Sequence, residues 1–201
     1  MTKTTAVFAV LFAFLAMSFS GGPSGYTIGD TAIDFNLKNV NGKMVSLSKI
    51  KKAKGYIVVF TCNHCPYAKA YEDRIIQLHQ KYAEMGYPVV AINSNDPVVA
   101  PNDSYAKMKQ RAKSKKFPFV YLYDSTQEIA KAYGATRTPH VYLLDDKRVV
   151  RYIGAIDDNS EDASLVKEKY LENAIDALKA GQDIAVKETK AIGCGIKWKK
   201  S

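Results

Sequence analysis

The hydrophobic positions change period several times along this chain, and each change marks an element. "GYIVVFT", Gly55 to Thr61, is an unbroken β-branched and aromatic run, the pattern of a strand covered on both faces. From Cys65 to Met85 the period turns helical: Tyr71, Ile75, Leu78 and Tyr82 share one face, and Gly86 ends the run. "YPVVAIN", Tyr87 to Asn93, reads as a second buried strand. "SNDPVVAPNDS" is rich in turn residues and leads into a helix near Ser104 to Ser114, and "FPFVYLYD" supplies a third strand. In "STQEIAKAYG", Ser125 is expected to cap a short helix, with Glu128 completing a capping box and Gly134 stopping it. After the turn "TRTP", His140 to Asp145 and Arg148 to Gly154 form a hairpin through Asp146-Lys147. A last helix is expected from about Glu161 to Ala180, with Gly181 at its end. Near the start, "FNLKNVNGKMVSLS" holds two extended runs around Asn41-Gly42, a strong hairpin signal.

Early strands separated by a long helix imply a right-handed parallel crossover, and late strands joined by two residues imply antiparallel pairing. The expected fold is therefore α/β: a mixed central sheet with helices on both faces, an N-terminal β-hairpin and an inserted helix–strand unit. With 201 residues, 47% of them hydrophobic, the chain suits a single core.

Residues 1–20 break this pattern. Lys3 precedes a 14-residue apolar run, Ala6 to Phe19, which is signal-peptide length and short of the ~20 residues that span a membrane. Small residues at Ala16, Ser18 and Ser20 suit cleavage, giving a mature chain from near Gly21 or Gly22; a retained segment would instead anchor the protein to a membrane. The expected organisation is a signal peptide over 1–20, a domain over 26–180 and a polar C-terminal tail over 181–201, in a protein that is exported and periplasmic or secreted. The net charge of +9 comes in clusters, such as Lys49, Lys51, Lys52 and Lys54. No nucleic-acid module accompanies them, so they read as solvated faces, and no nucleic-acid partner is expected.

The candidate chemistry lies in "VVFTCNHCPYAK". Cys62 and Cys65 stand three apart at the junction of strand and helix, with His64 between them and Pro66 after. If Cys62 caps the helix, its sulfur accepts backbone N–H groups and feels the helix dipole, which favours the thiolate. This predicts an exposed, nucleophilic Cys62 and a shielded, resolving Cys65, with a protonated His64 tuning the Cys62 pKa further. A zinc half-site is the other use of such a pair, but there is no second CxxC, and His79, His140 and Cys194 fall into no zinc spacing. No metal is assigned. The third cysteine, Cys194 in "AIGCGIKW", is either an auxiliary thiol that a folded-back tail carries toward the pair or a thiol in a docked tail with Ile192, Ile196 and Trp198 as packing residues.

The order strand, CxxC, long helix and much later "TRTPH" resembles the thioredoxin superfamily, over about Tyr26 to Ala180. More narrowly it is similar to the exported redoxins and thiol–disulfide oxidoreductases, and "CNHCPY" with "NSND", "TRTPH" and "GCGIKW" looks most like a peroxiredoxin-like subgroup. The resemblance implies a cis peptide at Thr138-Pro139 facing the disulfide, with Thr138 and Pro139 shaping a groove where a bound polypeptide pairs as an added strand. It implies disulfide exchange with protein or small-thiol partners by a monomer, with no organic cofactor because the dithiol itself carries two electrons. Departures are Thr61 in place of a tryptophan before the first cysteine, Asn63-His64 in place of Gly-Pro, and Tyr56 where thioredoxin has a buried aspartate. Two other functions make different demands on these residues. A peroxiredoxin-type peroxidase needs Pro-x-x-x-Thr/Ser-x-x-Cys, but those positions hold Gly55 and Val59 before Cys62, and Val58 and Cys62 before Cys65. A copper chaperone would need His140 to join Cys62 and Cys65 as soft ligands.

Overall fold

The computed structural model describes residues 25–200; the expected signal segment lies outside them. Its centre is a seven-stranded sheet. The strands are β1 (Leu37–Asn39), β2 (Met44–Val45), β3 (Gly55–Phe60), β4 (Val89–Asn93), β5 (Val120–Tyr123), β7 (His140–Asp145) and β8 (Val150–Gly154). Their order is β2-β1-β5-β4-β3-β7-β8. β3 runs parallel to β4 and β4 to β5, with α1 (Pro66–Tyr82) and α2 (Tyr105–Lys115) as crossovers. β7 lies antiparallel to β3 and to β8. β6 (Arg137–Thr138) and β9 (Cys194–Gly195) form a separate two-stranded ladder. The expected mixed α/β sheet and Asn41-Gly42 hairpin are both present.

The alternation within β3 sets the layers. Ile57 and Val59 face one side, where Tyr71, Ile75, Leu78 and Tyr82 of α1 meet Leu171, Ala174 and Ile175 of α4 (Tyr170–Lys179) and Leu143 of β7. Val58 and Phe60 face the other side, against Val90, Ile92, Phe35, Leu47 and Tyr133 of α3 (Glu128–Tyr133). The tail enters both layers: Ile184 joins the first core and Ile196 the second.

Two helix ends differ from the sequence pattern. α3 is preceded by Gln127 in a left-handed conformation (φ 64°), and Ser125 does not cap it. The buried Asp124 carboxylate instead accepts the Ala130 N–H at 3.0 Å, while Gly134 (φ 72°) ends the helix as expected. The last helix starts at Tyr170, nine residues later than its polarity pattern indicated, after a single 3-10 turn at Ala163–Leu165. Side chains take the backbone there: Asn159 accepts the N–H groups of Glu161 and Asp162, and Asp162 accepts that of Ser164. Such local bonds compete with helix formation.

Leu143 is fully buried at the centre of the α1/α4 face. Leu143→Ala is expected to cost about 2–5 kcal/mol of stability. Urea unfolding of the reduced protein, with an unchanged slope and a lowered midpoint, checks this.

Candidate active site

β3 ends at Phe60, and Thr61 to His64 stay irregular before α1 begins at Pro66. The proline occupies the first helical position, where its missing N–H costs nothing. The helix cap therefore falls on Cys65, not on Cys62 as the spacing indicated. The Asn63 N–H does not serve the helix either; it donates to the Asp103 carboxylate at 2.7 Å.

Both sulfurs are reduced and neither is exposed: Cys62 is 3% accessible and Cys65 0%. The expected exposed Cys62 is thus covered. Thr138-Pro139 is a cis peptide that faces the pair. Thr138 Oγ1 lies 3.4 Å from Cys62 Sγ, and the Cys65 thiol donates to the Thr138 carbonyl at 3.3 Å.

The electrostatics separate the two thiols, in the opposite sense to the cap argument. The Cys62 S–H donates to Cys65, which pushes Cys62 well above the ordinary cysteine range; burial and the nearby Asp103 charge act the same way. Cys65 is drawn down to about 4, chiefly by that hydrogen bond from Cys62 and against the effect of burial. The Cys194 thiol and the Ala68 and Cys194 N–H groups add to the lowering. The helix cap, where the dipole favours negative charge, is thus Cys65.

His64 makes a short contact with a residue the sequence did not single out. Its Nδ1 lies 2.5 Å from Asp103 Oδ2. Asp103 is fully buried, and Asn95 Nδ2 also donates to it at 2.6 Å. Tyr121 donates to the Asn63 side chain at 2.9 Å, locking the loop from below. The Tyr56 position does not supply the missing acid; Asp103 brings a carboxylate to the site from another segment. A weak signal for it existed. Asn93, Ser94, Asn95 and Asp96 are four consecutive polar residues at the C-terminal end of a buried strand, where open α/β sheets place their sites, and all four are buried.

Cys62, His64 and Asp103 bring ligand atoms within 4.8 Å of one another, the one such metal-capable group found among the described residues. His140, considered as a soft-metal ligand, is not in it. Its Nδ1 accepts the Thr136 N–H at 3.4 Å, and burial pulls its pKa to about 4. Arg137 is exposed and reaches only the Gly193 carbonyl, at 3.5 Å.

The tail does fold back. β9 pairs with β6 so that Cys194 lies opposite Thr138 and Gly195 opposite Arg137. The strand edge expected to receive a partner polypeptide is occupied by the chain's own C-terminal segment.

A mixed sheet, a CxxC at a strand–helix junction and a cis-proline facing it together define a thioredoxin-like redoxin. Residues 28–153 match the AhpC/TSA family, and the chain belongs to that family. Among curated proteins it is similar to peroxiredoxin Q of Triticum aestivum, 28% identical over 132 residues, covering 62% of this chain and 57% of that protein. It is also similar to the thiol-disulfide oxidoreductase ResA of Bacillus cereus, 25% identical over 158 residues, covering 72% of this chain and 87% of that protein. The chain thus spans little more than half of the peroxiredoxin Q relative. Among solved structures, an uncharacterized conserved protein from Geobacillus kaustophilus superposes with a TM-score of 0.83 at 39% identity, covering 89% of this chain and 95% of the other. A hypothetical protein from Sinorhizobium meliloti superposes with a TM-score of 0.82 at 34% identity, covering 89% and 98%.

The electrostatics yield a pH prediction. The folded Cys65 value lies below the ordinary ~8.5 of an unfolded cysteine. Its thiolate therefore stabilises the reduced fold fully above about pH 8.5, and that contribution is lost as pH falls toward 4. Thiolate absorbance near 240 nm in the reduced protein is expected to persist well below pH 8.5. Cys62→Ala, which removes the main donor, should move the midpoint upward; an unmoved midpoint contradicts the assignment.

Proposed function

We propose that this chain is an exported thiol–disulfide oxidoreductase that exchanges disulfides with protein or small-thiol partners through Cys62 and Cys65. The observation that carries this reading is the contact of both sulfurs with Thr138 of the cis Thr138-Pro139 peptide. That arrangement presents two thiols of unequal acidity to one backbone position, which suits disulfide exchange. A low-pKa thiolate attacks a disulfide sulfur, and the neighbouring thiol then displaces the partner. Cys62 and Cys65 lose two electrons and two protons as they join, and the partner disulfide becomes two thiols. His64 and Asp103 set the charge beside Cys62, and Thr138 and Pro139 shape the groove. The ResA relatives, named thiol-disulfide oxidoreductases, support the same reading, and the apolar run over residues 6–19 supports export. Among the described residues no helix is long and apolar enough to cross a membrane. We propose a monomer in the periplasm or outside the cell, with membrane attachment only if the first segment is retained.

Thiol-dependent peroxidase activity is a second reading, favoured by the peroxiredoxin Q relatives. Against it, the residues three and seven before Cys62 are Val59 and Gly55, both buried in β3, which offer no hydroxyl to a peroxide.

Reduction of insulin disulfides by dithiothreitol separates the two. Cys65→Ser is expected to fall to the uncatalysed rate, and Cys62→Ser to lose at least about tenfold. Full activity in either variant contradicts the mechanism. Peroxide consumption above that of dithiothreitol alone, without insulin reduction, would favour the peroxidase.

A further inference from the structure

With the tail docked, the three thiols stand in series. Cys62 and Cys65 are buried, and the half-buried Cys194 packs against them, its thiol and N–H favouring a thiolate on Cys65. Cys194 is the outermost of the three. A partner disulfide that approaches the docked form meets Cys194 first.

The placement of Cys194 is built in detail. Gly193 passes so close to the cis peptide that a Cβ there would lie 2.1 Å from the Thr138 carbonyl oxygen, so the chain reaches this position only without a side chain. Downstream, the Ile196 N–H donates to the Thr136 carbonyl at 3.1 Å, and the Ile196 side chain enters the core. The Lys197 N–H donates to Asn95 Oδ1 at 2.8 Å. Asn95 in turn donates to Asp103, the carboxylate that holds Asn63 and His64 between the two cysteines. Gln127 grips the same stretch at both ends, donating to the Lys197 carbonyl at 2.9 Å and accepting the Lys199 N–H at 2.8 Å. Upstream, Thr189 accepts the Ala155 N–H at 2.9 Å and lies 2.6 Å from the Tyr152 hydroxyl. The tail is therefore fixed on both sides of Cys194, and one hydrogen-bond network joins it to the CxxC loop. An anchoring role alone would be met by Ile184 and Ile196; it does not require a thiol on the Cys65 sulfur.

We infer that Cys194 is a third redox residue, which relays the disulfide between external partners and the buried Cys62–Cys65 pair by way of a Cys65–Cys194 bond. The inference rests on the proposed Cys62/Cys65 exchange. In the reducing direction, Cys194 gives its proton to the Cys65 thiolate as it attacks a partner disulfide, forming a mixed disulfide and releasing one partner thiolate, which takes that proton from Cys65 and leaves as a thiol. The Cys65 thiolate then attacks Cys194 Sγ, so that the Cys65–Cys194 bond forms and the second partner thiol leaves. Cys62 attacks Cys65 Sγ, giving the Cys62–Cys65 disulfide and restoring the Cys194 thiol. Three exchanges convert one partner disulfide and two protein thiols into two partner thiols and one protein disulfide, and the reverse sequence passes a disulfide outward. Burial, together with contact with Cys65, holds the Cys194 pKa up to about 11 in the reduced state. Once Cys65 is bound in the Cys62–Cys65 disulfide that contact charge is gone, so Cys194 becomes the better nucleophile when the disulfide is to leave.

The test uses the full chain equilibrated in glutathione redox buffer, acid-quenched, alkylated and mapped without reduction. In Cys62→Ser, the expected product is a peptide pair linked through Cys65 and Cys194; recovery of the two cysteines alkylated separately, or linked only to glutathione, overturns the relay. In Cys194→Ser, the Cys62–Cys65 disulfide is expected to form with glutathione, while insulin reduction falls by about tenfold. A Cys194→Ser protein with the wild-type rate overturns the relay and leaves the dithiol reading standing. Failure of the Cys62–Cys65 disulfide to form in wild type and variant alike overturns the dithiol reading and the relay with it.

Discussion

The backbone and hydroxyl of Thr138 are the contact on which the site depends. The hydroxyl touches Cys62, the carbonyl accepts from Cys65, and the strand edge pairs with Cys194. The cis peptide that follows turns the chain so that these groups meet the dithiol, and β7 continues directly from it into the centre of the sheet. The position of Thr138 is thus fixed by the same antiparallel pairing with β3 that carries Cys62 and Cys65 at its far end. Fold and site share one strand pair.

The second constraint is charge. A buried carboxylate beside a buried cysteine is costly unless it is satisfied, and Asp103 receives the Asn63 N–H, the Asn95 amide and the His64 ring. Its field disfavours a thiolate on Cys62, while the helix cap and four donors favour one on Cys65. The two thiols are chemically unequal chiefly because Cys62 donates to Cys65, and the Asp103 charge and the helix N-terminus act in the same sense. Asp103 and the tail are connected through Asn95, so tail docking and dithiol electrostatics are parts of one network.

Much of this was legible in the sequence. The unbroken apolar runs became β3 and β4, the Tyr71–Tyr82 face became α1, and Asn41-Gly42 became a turn, because burial period and turn chemistry are local properties. CxxC and Thr138-Pro139 marked two segments that the fold brings into contact. Which of the two cysteines caps the helix was not legible. It turned on whether the helix begins at Cys62 or at Pro66, and three residues there exchange the environments of the two sulfurs. The late start of α4 was hidden for a similar reason, since Asn159 and Asp162 bind backbone N–H groups that a helix would otherwise leave to water. Asp103 was hidden because its partners lie about forty residues away in "CNHC". Cys194 stood out only as an odd thiol between glycines, and the β6–β9 pairing that gives it a role is a long-range contact.

The proposed exchange requires that Cys62 and Cys65 form a reversible disulfide. Equilibrating the wild-type protein in redox buffers from about −120 to −300 mV and measuring the fraction carrying a Cys62–Cys65 bond tests it most directly. A single two-electron transition within that range, fully reversed by adding dithiol, is expected. Two cysteines that stay reduced throughout, or a bond that no buffer in the range can alter, would contradict it.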